Sequence, residues 1–318
     1  MRYNPEWEEH VPEGQDPRSI AHERDRRRYL AVREELAAGG ARRGELDGLY
    51  WLFRMAQEYE QVAPIVRSVP WMERLAVGYI DPEMDGIGPA FGLIAYANVP
   101  PDAQEAVRER ARLQQAEFGV DAGPWFRLAI RIGERMNQLA VTSPSRAQVT
   151  HRVGNPAHGT SGYLLPRHAV DRGQHVTFYD GAHGDVIGDF GECIDAVVVS
   201  HSDGYPRGLR RHRCARGIGP GSAVEVTDQN GTVHNCNVLD IDLSFGVVMH
   251  TVFPVRFTFD WSSSANGDSG ALIKARPCGE PLGMHQGAIF ITHGVASQLA
   301  YGLCLYQLED FGGLEFLR

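Results

Sequence analysis

The sequence has almost no lysine: Lys274 is the only one among 31 basic residues, and arginine supplies the rest. We attribute this to the codon usage of a GC-rich bacterial genome and not to a functional device. No apolar run reaches the ~18–20 residues that a membrane-spanning helix needs. The first residues also lack the basic start and apolar core of a secretion signal. We therefore expect a cytoplasmic protein that does not contact a membrane.

Metal-binding and redox patterns are missing as well. The five cysteines all follow residue 190 and form no Cys-x-x-Cys pair. An odd number of cysteines without a secretion signal predicts free buried thiols rather than a disulfide framework. The thirteen histidines contain no His-Glu-x-x-His motif and no spacing typical of a zinc site. We expect neither a metal nor a cofactor.

The charge balance excludes a general nucleic-acid binder. The net charge is −9 and the pI is about 5.8, whereas such proteins carry a strong positive charge. Two segments are locally basic, 24–28 and 207–216. We interpret the first as a solvated helix face and the second as a solvated loop, with an acidic substrate or partner as the alternative for the second.

The first half of the chain has a mixed pattern. We assign 1–74 to a helical N-terminal region, which offers a surface for a regulatory partner, and 75–145 to an α+β region that packs on the remainder. The spacing of apolar residues predicts helices over 18–38, 46–62 and 102–117, strands over 75–80 and 91–97, and a short helix or strand over 125–139.

Short strands and Gly-rich turns dominate from residue 150 onward, which indicates a barrel or a sandwich. Asn230 and Gly231 are expected to form a hairpin turn. Further strands are predicted over 223–227, 245–250, 255–259, 271–273, 288–291 and 301–305, and a short helix over 308–316.

The segment with the most chemical information is Gly-Asp-Ser-Gly at 267–270. A serine hydroxyl becomes a nucleophile only when a base takes its proton, and an acid orients that base. His168 ends an apolar strand and is the candidate base. Asp195 begins a run of β-branched residues and is the candidate acid, with Asp185 and Asp189 as competitors.

The same segment supplies a place for the charge that develops on a substrate carbonyl. Its glycines permit a turn in which backbone N–H groups point at one spot. We expect the N–H groups of Gly267 and Ser269 to form this oxyanion hole.

These segments resemble the trypsin/chymotrypsin-like serine peptidase family, over about residues 150–310. The resemblance implies a mostly β catalytic domain over 146–318, a chymotrypsin-like double β-barrel with barrels at about 146–206 and 217–318. It also implies a triad of His168, Asp195 and Ser269 at the barrel interface. The interval from His168 to Asp195 is short, so the first barrel is expected to be short of strands and to draw on 75–99.

The compact form is similar to bacterial and viral members of the family. It is also similar to the trypsin-like peptidases grouped with the plant protein NARROW LEAF 1, in which a strand pair precedes the catalytic barrel. No activation sequence of the family's zymogens appears near residues 145–160.

One motif bears on specificity. Residues 283–287, Gly-Met-His-Gln-Gly, resemble a pattern of glutamyl endopeptidases and picornaviral proteases. That resemblance implies that His285 hydrogen-bonds a Glu or Gln side chain at P1, the residue before the scissile bond. Ser264 would add a hydroxyl. The alternative is a neutral pocket floored by Ser263 and Ser264, which favours large apolar residues.

Together these patterns indicate a serine endopeptidase that acts on protein or peptide substrates. Two alternatives use the same residues differently. One is a catalytically silent binding module on a trypsin-like fold, and the other is an esterase or acyl transferase. A fold alone does not decide among them.

Overall fold

The computed structural model describes residues 1–14, 16–67, 72–86, 88, 90–97, 99, 101–103, 105–106, 127–136, 147–155, 159–170, 175–191, 194–201, 209–242, 256–291, 297–310 and 312–318. Its helices are α1 (Glu23–Ala38), α2 (Arg43–Arg67), α3 (Pro82–Asp85) and α4 (Tyr306–Asp310). Its strands are β1 (Met72–Ile80), β2 (Ala90–Ala97), β3 (Arg127–Met136), β4 (His151–Asn155), β5 (Thr160–Pro166), β6 (Val176–Thr177), β7 (His183–Gly184), β8 (Val186–Asp189), β9 (Ala196–Ser200), β10 (Arg211–His212), β11 (Ala223–Thr227), β12 (Val233–Asp242), β13 (Arg256–Phe259), β14 (Leu272–Ala275), β15 (Pro281–Ile291), β16 (Ser297–Cys304) and β17 (Glu315–Leu317).

The fold is mostly β, with its two long helices near the N-terminus, which confirms the predicted fold class. None of the helices in the described residues is long and apolar enough to span a membrane. Most of the helix predicted over 102–117 lies outside the described residues, which include only 101–103 and 105–106 of that region. The strand predicted over 245–250 lies outside them entirely.

Six strands close into a barrel in the second half of the chain. The ring runs β11, β12, β13, β16, β15, β14 and back to β11, and every pair is antiparallel. Alternate side chains point inward, as strand geometry requires, and Val224, Val226, Phe257, Phe259 and Ile273 are completely buried there. The barrel is therefore a packed core that carries the 260–271 loop between β13 and β14.

Three strands from the N-terminal half extend this barrel. β1 pairs with β2, and β2 pairs in parallel with β3. Along one edge, the long strand β12 pairs first with β11 and then with β1. The long strand β15 likewise pairs first with β14 and then with β3. The expectation that these strands complete the first barrel is wrong. They pair with the second barrel because β12 and β15 extend beyond their shorter neighbours β11 and β14. The extensions leave backbone N–H and C=O groups that need hydrogen-bond partners.

The second sheet has six strands in the order β10, β17, β4, β5, β9, β8. Strand β17, at the end of the chain, belongs to this sheet. The sequence predicted instead that all of 217–318 lies in the second barrel, and that 308–316 forms a helix. Only α4 is helical. Gly313 has a φ of 64°, which ends the helical path, and the buried Leu314 and Phe316 then alternate with the half-buried Glu315, as in a strand.

The helix predicted over 46–62 is α2, and its predicted apolar stripe faces the core. Leu49, Leu52, Phe53 and Ala56 are all buried. α1 packs on α2, with the rings of Tyr29 and Phe53 5.6 Å apart. The segment 125–139, for which the sequence left helix and strand open, contains strand β3.

A buried ion-pair network joins β1, β2 and β3 to the barrel. Asp240 on β12 is fully buried and binds Arg74 at 2.6 Å, Arg131 at 3.4 Å and the Tyr96 hydroxyl at 2.6 Å. Arg131 also makes a two-pronged contact with Asp85, at 3.0 Å for each bond. Buried charges persist only when they are paired, so the N-terminal strands and the barrel share one polar core.

Candidate active site

His168, Asp195 and Ser269 meet between the two sheets. His168 lies in a 3-10 turn after β5, Asp195 just before β9, and Ser269 between β13 and β14. His168 Nε2 is 3.1 Å from Ser269 Oγ, and His168 Nδ1 is 2.7 Å from Asp195 Oδ2. The second carboxylate oxygen, Oδ1, accepts the backbone N–H of His168 at 2.9 Å. Asp195 therefore holds both the ring and the backbone of the histidine.

The two competing acids lie elsewhere. Asp185 pairs with His175 at 2.5 Å, and both side chains are largely exposed. Asp189 accepts two bonds from Arg167 Nε, at 2.9 and 3.1 Å. Asp195, in contrast, makes two hydrogen bonds with His168.

The backbone of Asp195 is held in an uncommon conformation. Its φ is 57°, the left-handed region that a residue with a Cβ adopts at a cost of about 1–2 kcal/mol. Its N–H donates to Gly191 O at 2.9 Å, and its carbonyl accepts from Arg167 N at 3.1 Å. These bonds aim the carboxylate back at the histidine turn.

Gln286, on β15 of the six-stranded barrel, adds a bond that the sequence analysis missed. Its side-chain Nε2 donates to Ile194 O at 2.7 Å and to Asp195 O at 3.3 Å, and the side chain is almost fully buried. The only sequence signal was its place beside His285 in the specificity motif. Gln286 thus ties the loop that carries Asp195 to the barrel that carries Ser269.

We expect Gln286→Met to lower kcat by roughly 10-fold, because one hydrogen bond contributes about 0.5–1.5 kcal/mol and a buried carbonyl would lose its donor. KM should change little, since Gln286 acts through Asp195. Steady-state kinetics on a peptide ester measures both. Gln298→Met is the matched control: its Nε2 donates to Ser264 O at 2.6 Å, so its effect should fall on KM. Unchanged kcat in Gln286→Met would contradict this positioning role.

The glycines around Ser269 adopt conformations that other residues disfavour. Gly267 and Gly270 have φ values of 96° and 90°. A Cβ on Gly270 would lie 1.9 Å from the carbonyl oxygen of Gln148, which cannot be accommodated. In the described part of the chain, the N–H groups of Gly267 and Ser269 have no acceptor within the protein. Both are therefore free to bind a substrate oxygen.

The carboxylate of Asp268, directly before Ser269, is buried and binds backbone donors. Its Oδ1 accepts from Gln229 N at 2.9 Å, and its Oδ2 accepts from Ala265 N at 2.8 Å. The Gln229 side chain also donates to Asn266 O at 2.8 Å. The turn of the β11–β12 hairpin thus contacts and supports the loop that precedes Ser269. Nothing in the sequence pattern singled out Gln229.

Ser264 and His285 contact each other, and the His285 carbonyl accepts a hydrogen bond from Gly270, the residue after Ser269. Ser264 Oγ is 2.7 Å from His285 Nε2, and His285 Nδ1 is 3.2 Å from the carbonyl oxygen of Tyr301. A carbonyl only accepts hydrogen bonds, so Nδ1 carries the proton and Nε2 accepts from the serine. Burial lowers the pKa of His285 to about 3, although the hydrogen bond to the Tyr301 carbonyl acts in the opposite direction. The imidazole is therefore neutral.

Ser263, the other expected pocket residue, is exposed, and its hydroxyl accepts from the indole N–H of Trp261 at 3.0 Å. The Trp261 ring lies 4.9 Å from the ring of His285. The structure therefore brings Ser264 and His285 into direct contact and ties Ser263 to the tryptophan instead. Among the described residues, no group of His, Cys, Asp or Glu is arranged to hold a metal ion.

No protein-family model matches the chain, and no curated protein matches it. Solved structures of serine and viral proteases are similar at low identity. The Ser343Ala mutant of Rv3671c from M. tuberculosis is 16% identical, with a TM-score of 0.32, over 51% of this chain and 85% of that one. Kallikrein-related peptidase 10 is 13% identical, with a TM-score of 0.30, over 51% and 94%. An inactive tobacco etch virus protease bound to substrate is 12% identical, with a TM-score of 0.27, over 56% and 89%.

Proposed function

We propose that this chain is a serine endopeptidase that works through an acyl-enzyme. The observation that carries the proposal is the continuous line from Asp195 Oδ2 through His168 to Ser269 Oγ, with bonds of 2.7 and 3.1 Å. Because Asp195 accepts the Nδ1 proton, Nε2 is the basic nitrogen and faces the hydroxyl. This is the arrangement that acyl transfer from a peptide requires.

The steps follow from that geometry. Ser269 Oγ attacks the peptide carbonyl as its proton passes to His168 Nε2, and the carbonyl oxygen becomes negative between the N–H groups of Gly267 and Ser269. The C–N bond then breaks, and the leaving amine takes the proton from His168. Water next gives a proton to His168 and attacks the acyl carbon. The C–Oγ bond breaks, and Ser269 recovers its proton.

A fluorophosphonate probe tests this proposal because it reacts only with an activated serine. We expect stoichiometric labelling of Ser269. Lack of labelling would favour a catalytically silent binding module. Turnover of simple esters without cleavage of any peptide in a denatured proteome would favour an esterase or acyl transferase.

We further propose that the P1 residue contacts the pair formed by Ser264 and His285, with Gln preferred over Glu. The neutral His285 has no proton to donate from Nε2, since its one N–H is bound to Tyr301. A Gln amide can donate to Nε2 or to the Ser264 hydroxyl, whereas a carboxylate only accepts and would be buried without a cation.

The P1 preference should not depend on pH near neutrality. With a His285 pKa of about 3, the imidazole stays uncharged, so the Gln-to-Glu ratio of kcat/KM should remain flat between about pH 6 and pH 8. Paired peptides that differ only at P1 measure this, and Ser264→Ala should reduce the ratio. A Glu preference that weakens as the pH rises through ~6.5 would contradict the neutral imidazole. A preference for Phe, Tyr or Leu would support the neutral pocket floored by Ser263 and Ser264.

A further inference from the structure

Strand β15 has two edges, and they differ beside the nucleophile. β16 covers one edge from Gly283 to Ile291. On the opposite edge, β14 pairs as far as Met284 and β3 begins at Ala288. Among the described residues, no strand pairs with this edge between those two partners, at the short stretch that contains Gln286 and Gly287.

This open stretch lies next to Ser269. The N–H of Gly270, the residue after the nucleophile, donates to His285 O at 2.8 Å, and His285 N donates to Ala271 O at 2.9 Å. A peptide whose carbonyl reaches Ser269 Oγ is therefore adjacent to the β15 edge. Extended peptides bind by adding a strand to an open sheet edge, and Gln286–Gly287 is the open edge nearest to Ser269 among the described residues.

β3 already occupies the continuation of that edge. Its residues Gly133 to Met136 are antiparallel partners of Ile291 to Ala288, and β3 runs toward the open stretch. A substrate strand bound antiparallel to β15, as β3, β14 and β16 all are, would have the same direction as β3. Its residues on the N-terminal side of the scissile bond would then meet Met136, the last β3 residue paired with β15.

β3 is firmly attached. It pairs in parallel with β2 from Arg127 to Ile132. Its Arg131 is 1% exposed and is bonded to Asp85, Asp240 and the carbonyl of Tyr79. Removing β3 from the edge would pull a buried guanidinium away from two carboxylates, which is strongly unfavourable.

We propose that β3 is a fixed stop in the substrate-binding cleft. Backbone pairing with β15 is then limited to the part of a substrate held by Gln286 and Gly287, about two residues before the scissile bond. Residues further toward the substrate N-terminus must turn away from the sheet. The enzyme therefore selects peptides by the residues at the scissile bond and on the leaving side, not by a long N-terminal extended segment. This inference depends on the proposed peptidase function.

A series of peptide substrates tests whether β3 limits substrate binding. All carry the same fluorogenic leaving group, and they have one to five residues before it. Alanine is used beyond the first residue, so that only backbone contacts change. We expect kcat/KM to rise to the second residue and then to change by less than about threefold. A single backbone hydrogen bond corresponds to roughly 2- to 12-fold. A further rise of tenfold or more over the third to fifth residues would overturn the proposal.

A disulfide that locks β3 in place gives a second test. Glu134 and Phe290 are Cα partners across β3 and β15, and Phe290 is exposed. The variant carries Glu134→Cys and Phe290→Cys in a Cys278→Ser background, since Cys278 is exposed while the other described cysteines are buried. Its oxidised and reduced forms are compared, with Phe290→Cys alone as the control. We expect the oxidised enzyme to hydrolyse every peptide at the same rate as the reduced enzyme. Loss of activity that reduction restores would show that β3 must leave, against the proposal.

The two ideas fail in different ways. Fluorophosphonate labelling of Ser269 does not depend on peptide length. If Ser269 is labelled and kcat/KM depends steeply on peptide length, the proposal that β3 is a stop is wrong while the proposed peptidase function is retained. Absence of labelling removes the peptidase function and the stop together.

Discussion

Ser269→Ala and His168→Ala should each lower kcat by ~10⁴–10⁶ with little change in stability. The alanine at 269 has no oxygen to attack the carbonyl. The alanine at 168 removes the base that lies 3.1 Å from the serine Oγ. Asp195→Asn should cost about 10⁴-fold. Its amide would donate to Nδ1 and force the proton onto Nε2, which then cannot accept from Ser269. Single-turnover kinetics and thermal unfolding measure the two properties separately.

The matched control for the acid is Asp185→Asn, which removes a carboxylate next to β8, the strand that pairs with β9 in the second sheet. Asp185 pairs with the exposed His175, so we expect its activity to stay within about threefold of the parent, as for a surface ion pair. Near-normal turnover in Ser269→Ala, His168→Ala or Asp195→Asn would remove that residue from the proposed mechanism. Equal losses in Asp185→Asn and Asp195→Asn would mean that the effect is not specific to the acid facing His168.

The three residues of the candidate triad were predictable because each has a local signal. Ser269 lies in a Gly-Asp-Ser-Gly turn, His168 ends an apolar strand, and Asp195 begins a buried one. Their meeting point requires only that the two sheets face each other. Gln286 and Gln229 had no such signal, because a glutamine side chain has no periodic pattern. Their partners lie 92 and 39 residues away in sequence.

Strand partners were harder to predict than strands. The apolar runs that form β1 and β2 were clear in the sequence, but no local signal indicates which strand edge they pair with. That edge exists because β12 and β15 are longer than β11 and β14, a property visible only once the barrel is formed. The helix expected at 308–316 ends at Asp310, and the remainder of that prediction was wrong for a related reason. β17 is stabilised by pairing with β4 and β10, and such long-range pairing overrides local propensity.

Arg131→Ala in the full chain should lower the free energy of unfolding by about 3–5 kcal/mol, the usual cost of breaking a buried ion pair. Asp85 and Asp240 would each lose a buried cationic partner. Denaturant unfolding measures this. The exposed pair of Arg27 and Glu23 provides the control, because Arg27→Ala should cost less than about 1 kcal/mol. Equal small losses in both variants would mean that the buried network does not hold β3 to the barrel.

Removing residues 1–145 altogether should abolish folding and activity of the remainder. That fragment loses β1 and β3, so the edges of β12 and β15 become exposed, and Asp240 stays in the barrel without Arg74, Arg131 or Tyr96. Two broken buried pairs, at about 3–5 kcal/mol each, consume most of the ~5–15 kcal/mol that stabilises a typical domain. Circular dichroism should show loss of cooperative unfolding, and the fluorophosphonate probe should no longer label Ser269. A cooperatively folded, fully labelled fragment would instead mean that the barrel is self-sufficient and that the N-terminal strands serve only regulation.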